Sequence, residues 1–312
     1  MTYIPTFPDF IDFHDVDYET YAAYVDKYEP YSDFNYVSLY SWDTDNACRL
    51  SLHNDNLVLS FKDYLQDTWV LSVLGDSDIG GTSRALLEFA KNNDVYSNKL
   101  VCVPETVAKQ LISDQNLHVD EDPDNHDYIL SAKKYMMLEG KEFANKRKNI
   151  NKFEKLYGDR TVVKIVDLSD DFVLNEIKKL AYEWAFMGTE GSINAQNELS
   201  AISRILNAAT CLSEKLKIEC LAIYIDGKME GFCIYEVHDD YAITHFGKAN
   251  VIYNKAYEFL MVQTLRYIYS EHGVDYVNNE QDLGIEGLRQ SKRNQQPIGY
   301  YKKYTVAASE LA

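Results

Sequence analysis

Apolar positions fall in short runs with turn residues between them, most regularly in the second half of the chain. Ile218–Ile225 and Met229–Val237 flank Asp226-Gly227, which predicts a β-hairpin, because Asp-Gly accepts the positive φ that a two-residue turn demands. Asp239-Asp240 marks a second turn before a third strand, Tyr241–Phe246. From about Asn254 to Glu271 the period changes: Tyr257, Met261, Leu265 and Ile268 share one helical face, and Gly273 stands where a helix ends. A short strand, Val274–Asn278, follows. Asp282 is placed to cap a helix over about Leu283 to Lys292, and Pro297 precedes a last strand, Tyr300–Val306. Upstream, Leu174–Phe186 and Leu199–Leu212 read as amphipathic helices joined by a polar loop with Gly188 and Gly191.

The first half repeats this order. Strands Arg49–His53 and Asn56–Phe61 flank an Asn54-Asp55 turn, and Thr68–Leu74 is the next strand. Gly80-Gly81 opens a helix over about Ser83 to Lys91. Lys99–Val103 is a short strand, and Pro104 starts a helix reaching Leu111. No residue-level repeat accompanies the recurring order. The pattern predicts an α+β protein of two tandem units, each a mixed, mostly antiparallel sheet with flanking helices and one strand–helix–strand crossover. The expected boundaries are residues 1–130 for the first unit, 131–158 for a connecting helix and 159–312 for the second unit.

Composition narrows the class. The 312 residues are 46% hydrophobic and 26% charged, ordinary for a globular protein and enough for two domains. No apolar run approaches the roughly 20 residues that cross a bilayer. MTYIPTFPDF lacks the basic and apolar regions of a signal peptide, so the expectation is a cytoplasmic protein without an integral membrane segment. The five cysteines are scattered and form no C-x-x-C pair, so neither a disulfide framework nor a zinc site is expected. The 25 tyrosines define no site.

Charge is the first functional clue. The net charge is −18, yet residues 131–165 hold ten basic side chains against four acidic, while residues 1–130 hold 24 acidic against seven basic. Such a surface repels polyanions everywhere except at one segment. Read as a helix, that segment puts Lys141, Asn145, Lys148, Lys152 and Lys155 on one face and Phe143, Ile150, Phe153 and Tyr157 opposite, with Arg147 and Asn151 on the flank. The arrangement suits contact with a phosphate backbone; a solvated basic face is the plainer alternative.

The segment NNEQDLGIEGLRQSKRNQQP is the second candidate. Asn278, Glu280 and Asp282 lie at or near a strand end, and Arg289, Lys292 and Arg293 share a helix face. A carboxylate beside cations can act as general base with an oxyanion stabiliser. Alternatively, Asp282 is a cap and Arg289 a structural ion pair with Glu286 or Glu280. His245 admits the same two readings, base or hydrogen-bonded structural residue. Other patterns fail on inspection. Gly75–Thr82 follows a strand as a P-loop would, but Gly81 replaces the lysine and Asp76 and Asp78 repel phosphate. Asp120, Asp122 and Asp124 imitate a calcium loop, but Asn125 and Ser131 stand where glycine and glutamate belong.

The order of strands and helices resembles the N-acyltransferase fold of the GNAT type, in tandem. More narrowly, LSAKKYMMLEGKEFANKRKNINKF and VNNEQDLGIEGLRQSKRNQQPIGYYKKY resemble signature segments of a bacterial family of unassigned reaction. That family is related to the C-terminal domain of phosphatidylglycerol lysyltransferase and is similar in architecture to the Fem-type aminoacyl-tRNA-dependent transferases. The matching positions are Lys141, Arg147, Asn151 and Lys152 in the first segment. In the second they are Asn278, Glu280, Asp282, Arg289 and Lys292, with Lys303 and Tyr304 at its end.

The resemblance implies a double-GNAT transferase that moves an acyl or aminoacyl group to an amine or hydroxyl of a small molecule, peptide or lipid headgroup. Asp282 or Glu280 would take the proton, and Arg289 or Lys292 would steady the oxyanion. Lys141, Arg147, Lys148, Asn151, Lys152, Asn278, Lys292 and Arg293 would bind substrate. Neither HFGKANVIYN nor LGDSDIGGTS matches the [Q/R]-x-x-G-x-[G/A] loop that holds the pyrophosphate of coenzyme A. This favours aminoacyl-tRNA, gripped through its acceptor stem, over acetyl-CoA as donor. No other cofactor and no metal is implied. A CoA-dependent N-acyltransferase and a binding module without turnover are the competing expectations.

Overall fold

A computed structural model describes residues 2–66, 68–187, 193–213 and 215–309. The fold is mixed α/β, with two seven-stranded sheets that each belong to a separate unit. The first unit comprises residues 1–127, 281–291 and 300–312; the second comprises 128–280 and 292–299. The division therefore runs differently from the sequence boundaries. The basic segment 131–158 lies within the second unit, and the tail returns to the first.

The first unit begins with β1 (Ile11–Asp12), α1 (Tyr18–Val25) and α2 (Tyr36–Trp42). Asp17 and Asn35 cap the two helices through their side chains. Then come β2 (Arg49–His53), β3 (Asn56–Lys62) and β4 (Trp69–Leu74) in antiparallel order. Asn54 and Asp55, at φ 50° and 62°, make the expected turn. Helix α3 (Ile79–Lys91) crosses to β5 (Tyr96–Pro104), which lies parallel to β4. Asp78 caps α3 by accepting from the Gly81 amide, and a Cβ on Gly81 would fall 2.2 Å from that carboxylate. Gly81 thus serves the cap. Next are α4 (Glu105–Leu111) and β6 (Leu117–Glu121). The core includes Val58, Leu71, Leu86, Leu100, Val103, Leu111 and Val306.

The second unit opens with β7 (Asp127–Ser131) and α5 (Ala132–Met137). The single helix expected over 131–158 is two. Leu138 at φ 49° and Gly140 at φ 85° end α5, and α6 starts only at Ala144, running to Tyr157. Then come β8 (Thr161–Ile165), α7 (Asp171–Met187) and α8 (Ile193–Cys211). The Gly188–Gly191 loop lies outside the described residues. Strands β9 (Ile218–Ile225), β10 (Lys228–Val237) and β11 (Tyr241–Ala249) form the expected antiparallel meander, with Asp226 and Gly227 at φ 53° and 79°.

Helix α9 (Ala256–Tyr267) ends in a π-turn closed by Gly273 and leads to β12 (Tyr276–Asn278), parallel to β11. Helix α10 (Glu286–Asn294) follows. The expected last strand is two: β13 (Gly299–Tyr301) joins the second sheet, and β14 (Lys303–Ala308) enters the first sheet between β5 and β6. Phe143, Ile150 and Phe153 of the basic segment pack into the second core with Phe259, Leu260 and Leu265, and the rings of Phe153 and Phe259 stack at 4.3 Å.

Candidate functional site

Two irregularities coincide in the second sheet. The parallel pair β11–β12 holds for three residues, Tyr241 to Ile243 against Tyr276 to Asn278. On the other side of β11, Tyr235 pairs with Thr244 and Ile234 with Phe246, so His245 is the extra residue of a β-bulge. A bulge of this kind re-aims a side chain and commonly sits next to a site. Beyond the last pair, side chains join the two strands. Thr244 donates to Asn279 Oδ1 at 2.7 Å, and His245 Nδ1 lies 3.0 Å from Glu280 Oε1. On the far side of the imidazole, Nε2 lies 3.8 Å from buried Glu236.

Glu280 itself is held in an uncommon conformation. Its φ is 53°, in the left-handed region that residues other than glycine seldom adopt. The Asn278 side chain supports it by accepting from the Glu280 amide at 2.7 Å. The Lys292 ammonium donates to the Asn279 carbonyl, so a cation stands at the same strand end. Asn278, Asn279, Glu280, His245 and Lys292 are therefore brought together in one unit. Arg293 is exposed on the last turn of α10.

Asp282 and Arg289 are placed differently. The Asp282 carboxylate is fully buried; it accepts from the Gly284 amide at 2.9 Å and from Arg289 Nε and Nη2 at 3.0 and 2.7 Å. Arg289 also reaches Asp124 at 2.5 Å, and these two carboxylates push its guanidinium above its ordinary range. The pair is the structural ion pair weighed from the sequence, with Asp282, rather than Glu286 or Glu280, as the partner. Asp124, from the calcium-like run, is thereby absorbed in an arginine contact.

On α6 the basic face is real but shorter than expected. Asn145, Lys148, Asn151, Lys152 and Lys155 are exposed, whereas Lys141 precedes the helix. Arg147 turns back and donates to the Leu138 and Gly140 carbonyls, closing the end of α5. Lys146 is the residue that sequence reasoning missed. It is buried, donates to Gln295 Oε1 at 2.8 Å and lies 5.1 Å from the centre of the Tyr135 ring. Burial pulls its ammonium down to about 8, against a smaller opposing effect of Glu258. The signal available in the sequence was its position one residue past Asn145, on the side of Phe143 and Ile150.

The segment HFGKANVIYN forms the end of β11 and a turn, not a phosphate-cradling loop. Lys248 in it is buried against Glu198 at 2.5 Å and the Trp184 ring at 3.5 Å. A cavity of about 410 Å³ elsewhere in the second unit is lined by Met136, Val163, Leu221, Gln263, Arg266 and Tyr267, and no candidate residue borders it. Cys48, Cys102, Cys220 and Cys233 are buried free thiols pushed up by desolvation, unsuited to nucleophilic work. Among the described residues no helix is long and apolar enough to cross a membrane.

Comparison with known proteins agrees with this fold. A conserved protein of unknown function from Bacteroides thetaiotaomicron is 24% identical, with a TM-score of 0.80 over 96% of this chain and 99% of that one. L-PGS from Bacillus licheniformis is 14% identical, with a TM-score of 0.60 over 93% and 91%. FemX is 11% identical, with a TM-score of 0.52 over 85% and 90%. These likenesses show the fold. An uncharacterized protein of Mycoplasmoides gallisepticum is 24% identical over 179 residues, 57% of this chain; the chain spans about half the length of this curated relative. The family model described as phosphatidylglycerol lysyltransferase, C-terminal, matches residues 26–307, and the chain belongs to that family.

Proposed function

We propose that the second unit carries an aminoacyl-transfer site, with Glu280 and His245 as the proton-accepting pair and aminoacyl-tRNA as the donor. One observation carries the reading: β11 and β12 part where a bulge turns His245 to Glu280, and Glu280 is held there at positive φ by Asn278. Backbone strain kept by surrounding contacts is characteristic of working sites. An aminoacyl ester is already activated, so positioning and proton transfer are the main demands. The incoming amine or hydroxyl gives its proton to Glu280 as its N–C or O–C bond to the acyl carbon forms. The ester bond to the ribose then breaks, and the proton ends on the ribose oxygen. Lys292 is the nearby cation for the developing oxyanion. The exposed lysines of α6 supply the charge for a phosphate backbone in a chain that is otherwise acidic.

The family name supports lysyl transfer to a lipid headgroup hydroxyl as one version of this reaction, with a soluble amine or hydroxyl acceptor as the other. The test is transfer from tRNA charged with radiolabelled amino acids, with phosphatidylglycerol vesicles or a soluble acceptor. Product that vanishes in Glu280→Gln supports the proposal. Absence of tRNA binding at low salt, together with micromolar acetyl-CoA binding by titration calorimetry, would replace it with the CoA-dependent reading.

A further inference from the structure

The first unit contains a second cluster that this chemistry does not use. Lys303 at the start of β14, Asp33 and Asp127 are all fully buried, and Ser32 and Cys102 are buried beside them. The Lys303 ammonium meets the Asp33 carboxyl and lies 2.7 Å from Asp127 Oδ1. The two oxygens of Asp33 are differentiated. Oδ1 accepts from the Tyr64 hydroxyl at 2.8 Å and from Gln281 Nε2 at 3.3 Å, whereas Oδ2 meets the Lys303 ammonium. Asp127 is fixed by the Ser32 amide at 2.8 Å and the Ser32 hydroxyl at 2.6 Å.

An amine in contact with a carboxyl group, two donors on that group's other oxygen and a neighbouring carboxylate are the parts of an amide-forming centre. We propose that Lys303 and Asp33 condense to an intrachain isopeptide bond, with Asp127 as the proton acceptor. Asp127 takes a proton from the ammonium, and the freed amine attacks Cγ of Asp33 in its carboxylic-acid form. Tyr64 and Gln281 hold the negative charge on Oδ1. The Cγ–Oδ2 bond breaks, and Oδ2 leaves as water. An ammonium, a carboxylate and a carboxylic acid become an amide, a water and a carboxylic acid on Asp127; no oxidant or other co-reactant enters. Burial, reinforced by the Asp127 charge, pushes Asp33 towards its acid form despite the opposing lysine. Burial disfavours the Lys303 charge, but Asp127 and Asp33 outweigh it and hold the ammonium above its ordinary range, so its deprotonation is uphill and the reaction slow.

The test is the intact mass of the full chain after denaturation, followed by a tryptic map. The expected result is a deficit of one water that grows as folded protein ages, located in a branched peptide joining Asp33 to Lys303. Asp127→Asn and Lys303→Arg should each keep the full mass. If those variants do not fold, the map of the unmodified chain decides alone. Full mass in aged, folded protein overturns the proposal, leaving an ion triad only. So does a water loss that maps to Asp226-Gly227, where a succinimide gives the same deficit.

Discussion

At the scale of single residues, two ion pairs that look alike in the sequence do opposite things. Asp282 and Arg289 saturate one another in a buried setting, whereas Glu280 keeps a partner, His245, that can pass a proton. Arg289→Met should therefore act on stability, costing about 3 kcal/mol in urea unfolding because buried Asp282 loses its counter-charge. Glu280→Gln should leave the unfolding midpoint nearly unchanged and lower the transfer rate by roughly 10²–10⁴. A pH effect follows from Lys146. Its folded value, about 8, lies below that of the unfolded chain, so the unfolded state binds the extra proton and stability should rise as pH passes upward from about 8 towards 10. Lys146→Met should lack that rise, so the stability gap between the two proteins, measured by urea titration at pH 7 and pH 10, should move in favour of the unmodified chain. Residue identity made the carboxylates and cations of 278–293 legible as candidates. Which of them pair was not legible, because Asp282 and Arg289 are also joined by Asp124, 165 residues from Arg289 in the chain.

At the scale of elements, the hairpin over 218–237 and the crossover helices followed from period and turn chemistry, since Asp226-Gly227 and Gly273 fill positions with a strict backbone demand. The basic segment was legible in charge and only partly in shape. Its apolar residues do face a core, but Gly140 in the left-handed region breaks it, and Arg147 is spent on the broken end. The bulge at His245 left no mark in the sequence, because an inserted residue in a strand changes neither composition nor propensity. The face that remains on α6 makes a quantitative expectation. Lys148→Gln with Lys152→Gln should weaken tRNA binding and reduce the slope of log K against log salt by about 1.4–1.8, measured by filter binding across a salt series. An unchanged slope would mean that the nucleic acid, if bound, lies elsewhere.

At the scale of the whole molecule, the tandem organisation was visible as a recurring order of elements, but the chain path was not. A linear reading assigns residues 300–306 to the half they follow. The structure instead inserts β14 between β5 and β6, with Tyr304 opposite both Val103 and Glu121. Only long-range pairing decides this, and a local pattern carries no record of it. Among the described residues, β6 pairs with no other strand of its sheet than β14. A chain stopped after residue 301 should therefore lose cooperative unfolding of the first unit, while near-ultraviolet circular dichroism and proteolysis of the second unit's tyrosine-rich core stay close to those of the full chain.

The late arrival of β14 has a consequence during translation. While the ribosome is still adding the residues before Lys303, the first sheet has a gap beside β5, and Asp33 and Asp127 await the cation that neutralises them. The strands of this sheet made earlier thus close only after β14 has been made, and a chaperone that guards them must stay at least until then.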